Sequence, residues 1–197
     1  MFHSKNWETV SEIIRLENPW LTVVGERLLD DQGRLLDYWR VEKPHSAIAI
    51  TLCGEDLIFP KPSYRPGVKC CTLDFPGGRV PTGTAPQDVI PQILQRELGL
   101  IADDILSLEP LNHHHHHHHH HPKQGFFINS SFSNQQLHGF VARIRGDAKS
   151  LDPSKLHVKR FSSVLSKGEI PSLLSELKCL QCRSLLLEWL LLQSQDI

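Results

Sequence analysis

Pro76-Gly77-Gly78 divides the chain between two different periodicities. Before it, Val68 to Phe75 reads as an extended strand. After it, Thr84 has Gln87 three residues on, the spacing of a capping box, and opens a helical candidate that reaches Leu98 and stops at Gly99. Pro91 falls inside that candidate, so the spacing predicts a kinked helix or two short turns. The glycine pair itself lets the backbone come close to a ligand or to a helix.

The remaining elements follow from apolar spacing and turn chemistry. Val10 to Glu17 has the spacing of a short helix ended by Asn18-Pro19. Trp20 to Leu29 and Arg34 to Glu42 form a hairpin around Asp30-Asp31-Gln32-Gly33. Ser46 to Cys53 and Leu57 to Phe59 are strands, and Pro60, Pro62 and Pro66 stiffen the loop that follows. Gly125 to Ser131, Leu137 to Ile144 and Leu156 to Phe161 are further strand candidates. Ser172 to Leu192 supplies C-terminal helices with a leucine stripe.

Composition narrows the function classes. The chain has 197 residues, enough for one well-buried core, with 40% hydrophobic and 22% charged residues. A net charge of -1 from 21 basic and 22 acidic side chains offers no broad attraction to nucleic acid or to an anionic membrane. Five cysteines cannot all pair within one chain, and the first residues carry no apolar signal core, so the expected setting is the cytoplasm.

Residues 77 to 100, GGRVPTGTAPQDVIPQILQRELGL, resemble the Nudix box: glycine, five residues, glutamate, seven residues, then REUxEExGU with U a bulky aliphatic. Gly78 takes the first glycine and Gly99-Leu100 the last pair. YRPGVKCCTLDFPGG, Tyr64 to Gly78, is similar to the approach to that box in the ADP-ribose pyrophosphatase branch. The resemblance implies an α/β fold, a Nudix-type α/β/α sandwich with a mixed central sheet and an N-terminal antiparallel hairpin, the hairpin pairing across a homodimer. It divides the chain into an N-terminal helix and hairpin over 1–45, a Nudix-like domain over 46–165, and a helical segment over 166–197 packed on the same domain. The activity it implies is hydrolysis of a nucleoside diphosphate-sugar such as ADP-ribose with Mg²⁺ or Mn²⁺.

The box departs from the pattern where the acids belong. Thr84 replaces the first glutamate, Gln92 and Ile93 replace the arginine and glutamate of REU, and Arg96 replaces one of the paired glutamates. Glu97 is the one acid retained, and helix positions three and four apart then offer Ile93, Arg96 and Glu97. If the chain is active, Glu97 is its catalytic residue, and Glu97 with the Gly77 carbonyl holds the metal. Arg65, Arg79 and Arg96 are candidates for the phosphates, Gly78 for close backbone approach and Trp39 for a base. The other reading is a nucleotide-binding or protein-interaction domain without turnover. Asp152 and His157 in Leu151 to Phe161 are candidates for a further ligand.

Two features lie outside that scheme. His113 to His121 is a run of nine histidines, expected as an exposed loop insertion that takes up Ni²⁺, Cu²⁺ or Zn²⁺ without fixed geometry. Cys179 and Cys182 form a single CxxC, with Cys70-Cys71 as the other cysteine pair. In its leucine-rich context it reads first as packing, with a transient disulfide as the chemical alternative.

Overall fold

The computed structural model describes residues 6–111, 125–146, 151–157, 161–162 and 169–193. The histidine run therefore lies outside the described residues. The chain divides into two compact units, residues 1–45 with 127–136, and residues 46–126 with 137–197.

The first unit is built on a three-stranded antiparallel sheet of β1 (Glu8–Asn18), β2 (Leu21–Leu29) and β3 (Leu35–Glu42), in that order. The segment expected as a helix, Val10 to Glu17, is instead part of β1. Its pairing with β2 slips between Thr9 and Ser11 and again between Glu12 and Ile14. Each slip leaves one residue, Val10 or Ile13, without a partner across the ladder. Two such slips break the two-residue alternation of a strand, so the apolar residues fall at a spacing that imitates a helix. Their β-branched side chains favour the extended form.

Two polar side chains close the turns of this sheet. Asn18 Oδ1 accepts from the backbone N–H of Trp20 at 2.8 Å and of Leu21 at 3.2 Å, closing the β1–β2 connection. Asp30, buried, accepts from the N–H of Gln32 and of Arg34, while Gly33 takes a φ of 78°, in the hairpin turn the sequence predicts. Across β2 and β3, Arg40 bonds Glu26 at 2.8 Å and Glu42 at 2.6 Å, and its hydrogen bond holds the Glu26 carboxyl below its usual range.

The second unit centres on β4 (Ser46–Cys53), which is paired on all sides. Its neighbours are β5 (Asp56–Ile58), β8 (Gly77–Arg79) and, in parallel, β11 (Gln136–Ile144). Between them in sequence come β6 (Ser63–Arg65) and β7 (Cys70–Thr72), which pair with each other, then β9 (Ile105–Pro110), antiparallel to β11, and the two-residue β10 (Phe126–Phe127). A short β12 (Phe161–Ser162) adds to β5. The mixture of parallel and antiparallel pairs is the mixed central sheet expected. Residues 47–52 are all buried, which is what a strand covered on both faces requires. Ala47 and Ala49 join the core under the first helix, and strand alternation turns Ile48, Ile50 and Leu52 to the other face.

Among the described residues three α-helices complete the unit: α1 (Ile90–Leu98), α2 (Glu169–Glu176) and α3 (Leu180–Gln193), and both α1 and α3 pack against β4. A 3₁₀ turn over Pro86–Val89 leads into α1, so this stretch is two pieces, as Pro91 foretold. Pro91 itself lies in the first turn of α1, where a missing N–H costs nothing. Thr84 does not cap it; the turn begins after Ala85 with no side-chain cap. Gly99 ends α1 at φ 83°, donating to the Gln95 carbonyl. No helix among the described residues is long and apolar enough to cross a membrane.

Candidate functional site

Helix α1 is anchored by Ile90, Ile93, Leu94 and Leu98, all buried. That fixes the rotation of the helix and brings Arg96 and Glu97 to its edge, beside β8. The approach of β8 depends on its glycines. A methyl group on Gly78 would come within 3.0 Å of Ile93 Cγ1, 3.1 Å of Ile93 Cδ1 and 3.3 Å of the Arg96 guanidinium. One on Gly77 would come within 3.0 Å of Ile48. Neither glycine has a positive φ, so closeness alone requires them.

At this junction the Arg96 guanidinium bonds two oxygen acceptors. Its Nη2 donates to the Gly77 carbonyl at 2.8 Å and to Glu97 Oε1 at 2.8 Å, and its Nε donates to the same Oε1 at 2.9 Å. These are the two groups that the box resemblance assigns to a divalent cation. Mg²⁺ requires about six oxygens in near-octahedral array, and Mn²⁺ is likewise an ion of oxygen sites. Here one carboxylate and one carbonyl are present, both already bonded to a guanidinium, and Ile93 stands where the box pattern has a further acid. The residues at this junction do not fit such an ion.

The other candidates are distributed as follows. Arg79 follows Gly78 on β8 and is exposed. Arg65, on β6, is tied to Asp74 through Nε at 2.9 Å and Nη2 at 2.8 Å. Trp39 belongs to the first unit, where its ring lies over Gly25 on the neighbouring strand and is half exposed. Asp152 donates its backbone N–H to the Leu98 carbonyl at the end of α1. Its carboxylate accepts from the Ser154 hydroxyl at 2.6 Å and the Ser154 N–H at 2.9 Å, bonds that hold its carboxyl below the usual range. His157 faces Glu176 at 4.0 Å.

A second constellation, built on the CxxC, was not legible as a unit. Cys179 sits at the start of α3, its carbonyl accepting from the Arg183 N–H at 3.1 Å. Its thiol is pulled down to about 6, chiefly by a hydrogen bond from Cys182 and also by the backbone N–H groups of Cys182 and Gln181. The Cys182 thiol is pushed up, first by its hydrogen bond to Cys179 and then by burial. Asp74 faces Cys182, though the two are 108 residues apart in sequence.

No family model matches the chain, and no curated protein sequence matches it. A solved structure described as "Crystal structure of ADP compounds hydrolase" aligns over 97% of this chain and 93% of its own, with a TM-score of 0.66 and 19% sequence identity. At that identity the likeness is one of fold, and the fold is the Nudix-type α/β/α sandwich with its N-terminal antiparallel sheet.

Proposed function

We propose that the β8–α1 junction binds a nucleoside diphosphate-linked small molecule, of the nucleoside diphosphate-sugar class, and that Arg96 supplies there the positive charge that a metal ion supplies in hydrolytic relatives of this fold. The observation that carries the reading is the position of the Arg96 guanidinium, 2.8 Å from both the Gly77 carbonyl and Glu97. A guanidinium fork suits paired phosphate oxygens, and the Arg96 side chain is 57% exposed. Arg79, next to Gly78 on β8, adds positive charge there. The likeness in fold to a hydrolase of ADP compounds supports the ligand class.

Binding of this kind is not turnover. Metal-assisted hydrolysis depends on an ion that polarises both water and phosphate. A fixed guanidinium can stabilise phosphate charge but does not lower the pKa of a bound water. The reading is therefore of a hydrolase-like domain that holds its ligand and cuts it slowly or not at all.

Incubation with a panel of nucleoside diphosphate compounds at high Mg²⁺ and Mn²⁺ tests it. Equal, near-background product formation by the native protein and by Glu97→Gln is the expected result. Hydrolysis that disappears in Glu97→Gln would show that the junction works as a metal-dependent active site.

A further inference from the structure

The Sγ atoms of Cys179 and Cys182 and a carboxylate oxygen of Asp74 all lie within 4.8 Å of one another. Within that group, Cys182 Sγ lies 3.9 Å from Asp74 Oδ1. A tetrahedral zinc ion, with bonds of about 2.3 Å to sulfur and about 2.0 Å to oxygen, holds its sulfur and oxygen ligands roughly 3.5 to 3.8 Å apart. The three donors are thus within small side-chain rotations of that geometry.

The groups behind the donors are arranged as a ligand set requires. Asp74 Oδ2 is occupied, accepting from Arg65 at 2.8 Å and from the Thr72 hydroxyl at 2.7 Å, and this orients Oδ1 toward Cys182. Cys182 Sγ accepts from the Phe75 N–H at 3.4 Å, and the backbone N–H groups of Cys182 and Gln181 help to hold the Cys179 thiol below its usual range, surroundings that suit sulfurs carrying negative charge. Two thiolates and a carboxylate carry three negative charges. Arg65 and a divalent ion together balance them.

From this geometry we infer that Asp74, Cys179 and Cys182 form a site for a thiophilic divalent cation, zinc in the first instance, separate from the β8–α1 junction. The ion takes the place of the thiol protons: the one that Cys182 directs at Asp74 and the one that Cys179 carries while it is still a thiol both leave to solvent. Cys182 and Asp74 are buried whereas Cys179 is partly exposed, so the fourth position opens to solvent beside Cys179 and is filled by water. Sulfur donors select zinc over magnesium. The ion would clip the start of α3 to the segment that leads directly into Gly77 and Gly78.

Cobalt is the probe, because a sulfur-to-cobalt charge-transfer band in the near ultraviolet reports thiolate ligation. The histidine run, which binds cobalt through nitrogen, gives no such band. Full-length protein, reduced with a phosphine, is titrated with Co²⁺ and then with Zn²⁺. The inference predicts a thiolate band that zinc abolishes, that is absent in Cys179→Ser and in Cys182→Ser, and that persists in the double variant Cys70→Ser, Cys71→Ser. Thr72→Val should weaken zinc binding about tenfold by releasing the carboxylate from its orientation. No thiolate band in the reduced native protein, or one that survives Cys179→Ser, overturns the inference. The partly exposed Cys179 keeps the test decisive should Cys182→Ser fail to fold.

Discussion

Arg96 donates to the carbonyl oxygen of Gly77 at 2.8 Å, joining the edge of α1 to β8 at the point where the box resemblance puts a metal ion. The contact exists because Gly78 has no side chain to keep the helix away, and because Ile93 packs into the space so left. One arginine, at the position where the box pattern has an acid, thus bonds the two oxygens that the resemblance assigns to a metal.

Exchange of that residue should separate the two chemistries. Arg96→Ala removes a charge-assisted contact worth about 1.5–3 kcal/mol, so binding of ADP-ribose should weaken roughly tenfold or more. Arg96→Glu restores a pair of acids beside the Gly77 carbonyl and should raise Mg²⁺ affinity at least about tenfold over the native protein. Calorimetric titration of each variant with ADP-ribose and with Mg²⁺ checks both statements.

Gly78→Ala should destabilise the fold by about 1–3 kcal/mol, because the added methyl group meets Ile93 at 3.0 Å in a packed core. Combining it with Ile93→Ala should cost less than the two single changes added together, since the second makes room for the first. Denaturant midpoints for the two single variants and the double variant measure that coupling.

The Arg40 cluster makes the stability of the first unit depend on pH. Glu26 and Glu42 both lie below their ordinary value of 4.5 in the folded protein, first because Arg40 donates to each. In the unfolded chain they return to that value. Their contribution is therefore complete above about pH 4.5 and is lost as pH falls below it, through the lower folded values. Arg40→Gln should cost about 1 kcal/mol at neutral pH, partial exposure having screened the pairs, and progressively less in acid. Thermal midpoints of both proteins between pH 7 and pH 3 should converge.

Much of this arrangement can be read from local chemistry. The hairpin turn at Asp30 to Gly33 and the stop at Gly99 each depend on residues adjacent in sequence, and the glycine pair at 77–78 announces a close approach without naming its distant partners, Ile48, Ile93 and Arg96. β1 is misread as a helix because two register slips disguise its alternation. β9 carries no strong turn signal and is defined by its pairing with β11. The box alignment reveals that Arg96 replaces an acid, yet only the folded chain reveals that its guanidinium reaches Gly77. Asp74 and Cys182 illustrate the same limit at longer range, since nothing local announces a contact across 108 residues.

The central claim is that an internal guanidinium, and not a divalent ion, provides the positive charge at the β8–α1 junction. Titration of the native protein with ADP-ribose, once with a chelator and once with excess Mg²⁺, tests it most directly. The account predicts saturable binding in both, with dissociation constants equal to within about twofold. Binding that appears only when Mg²⁺ is added would contradict it.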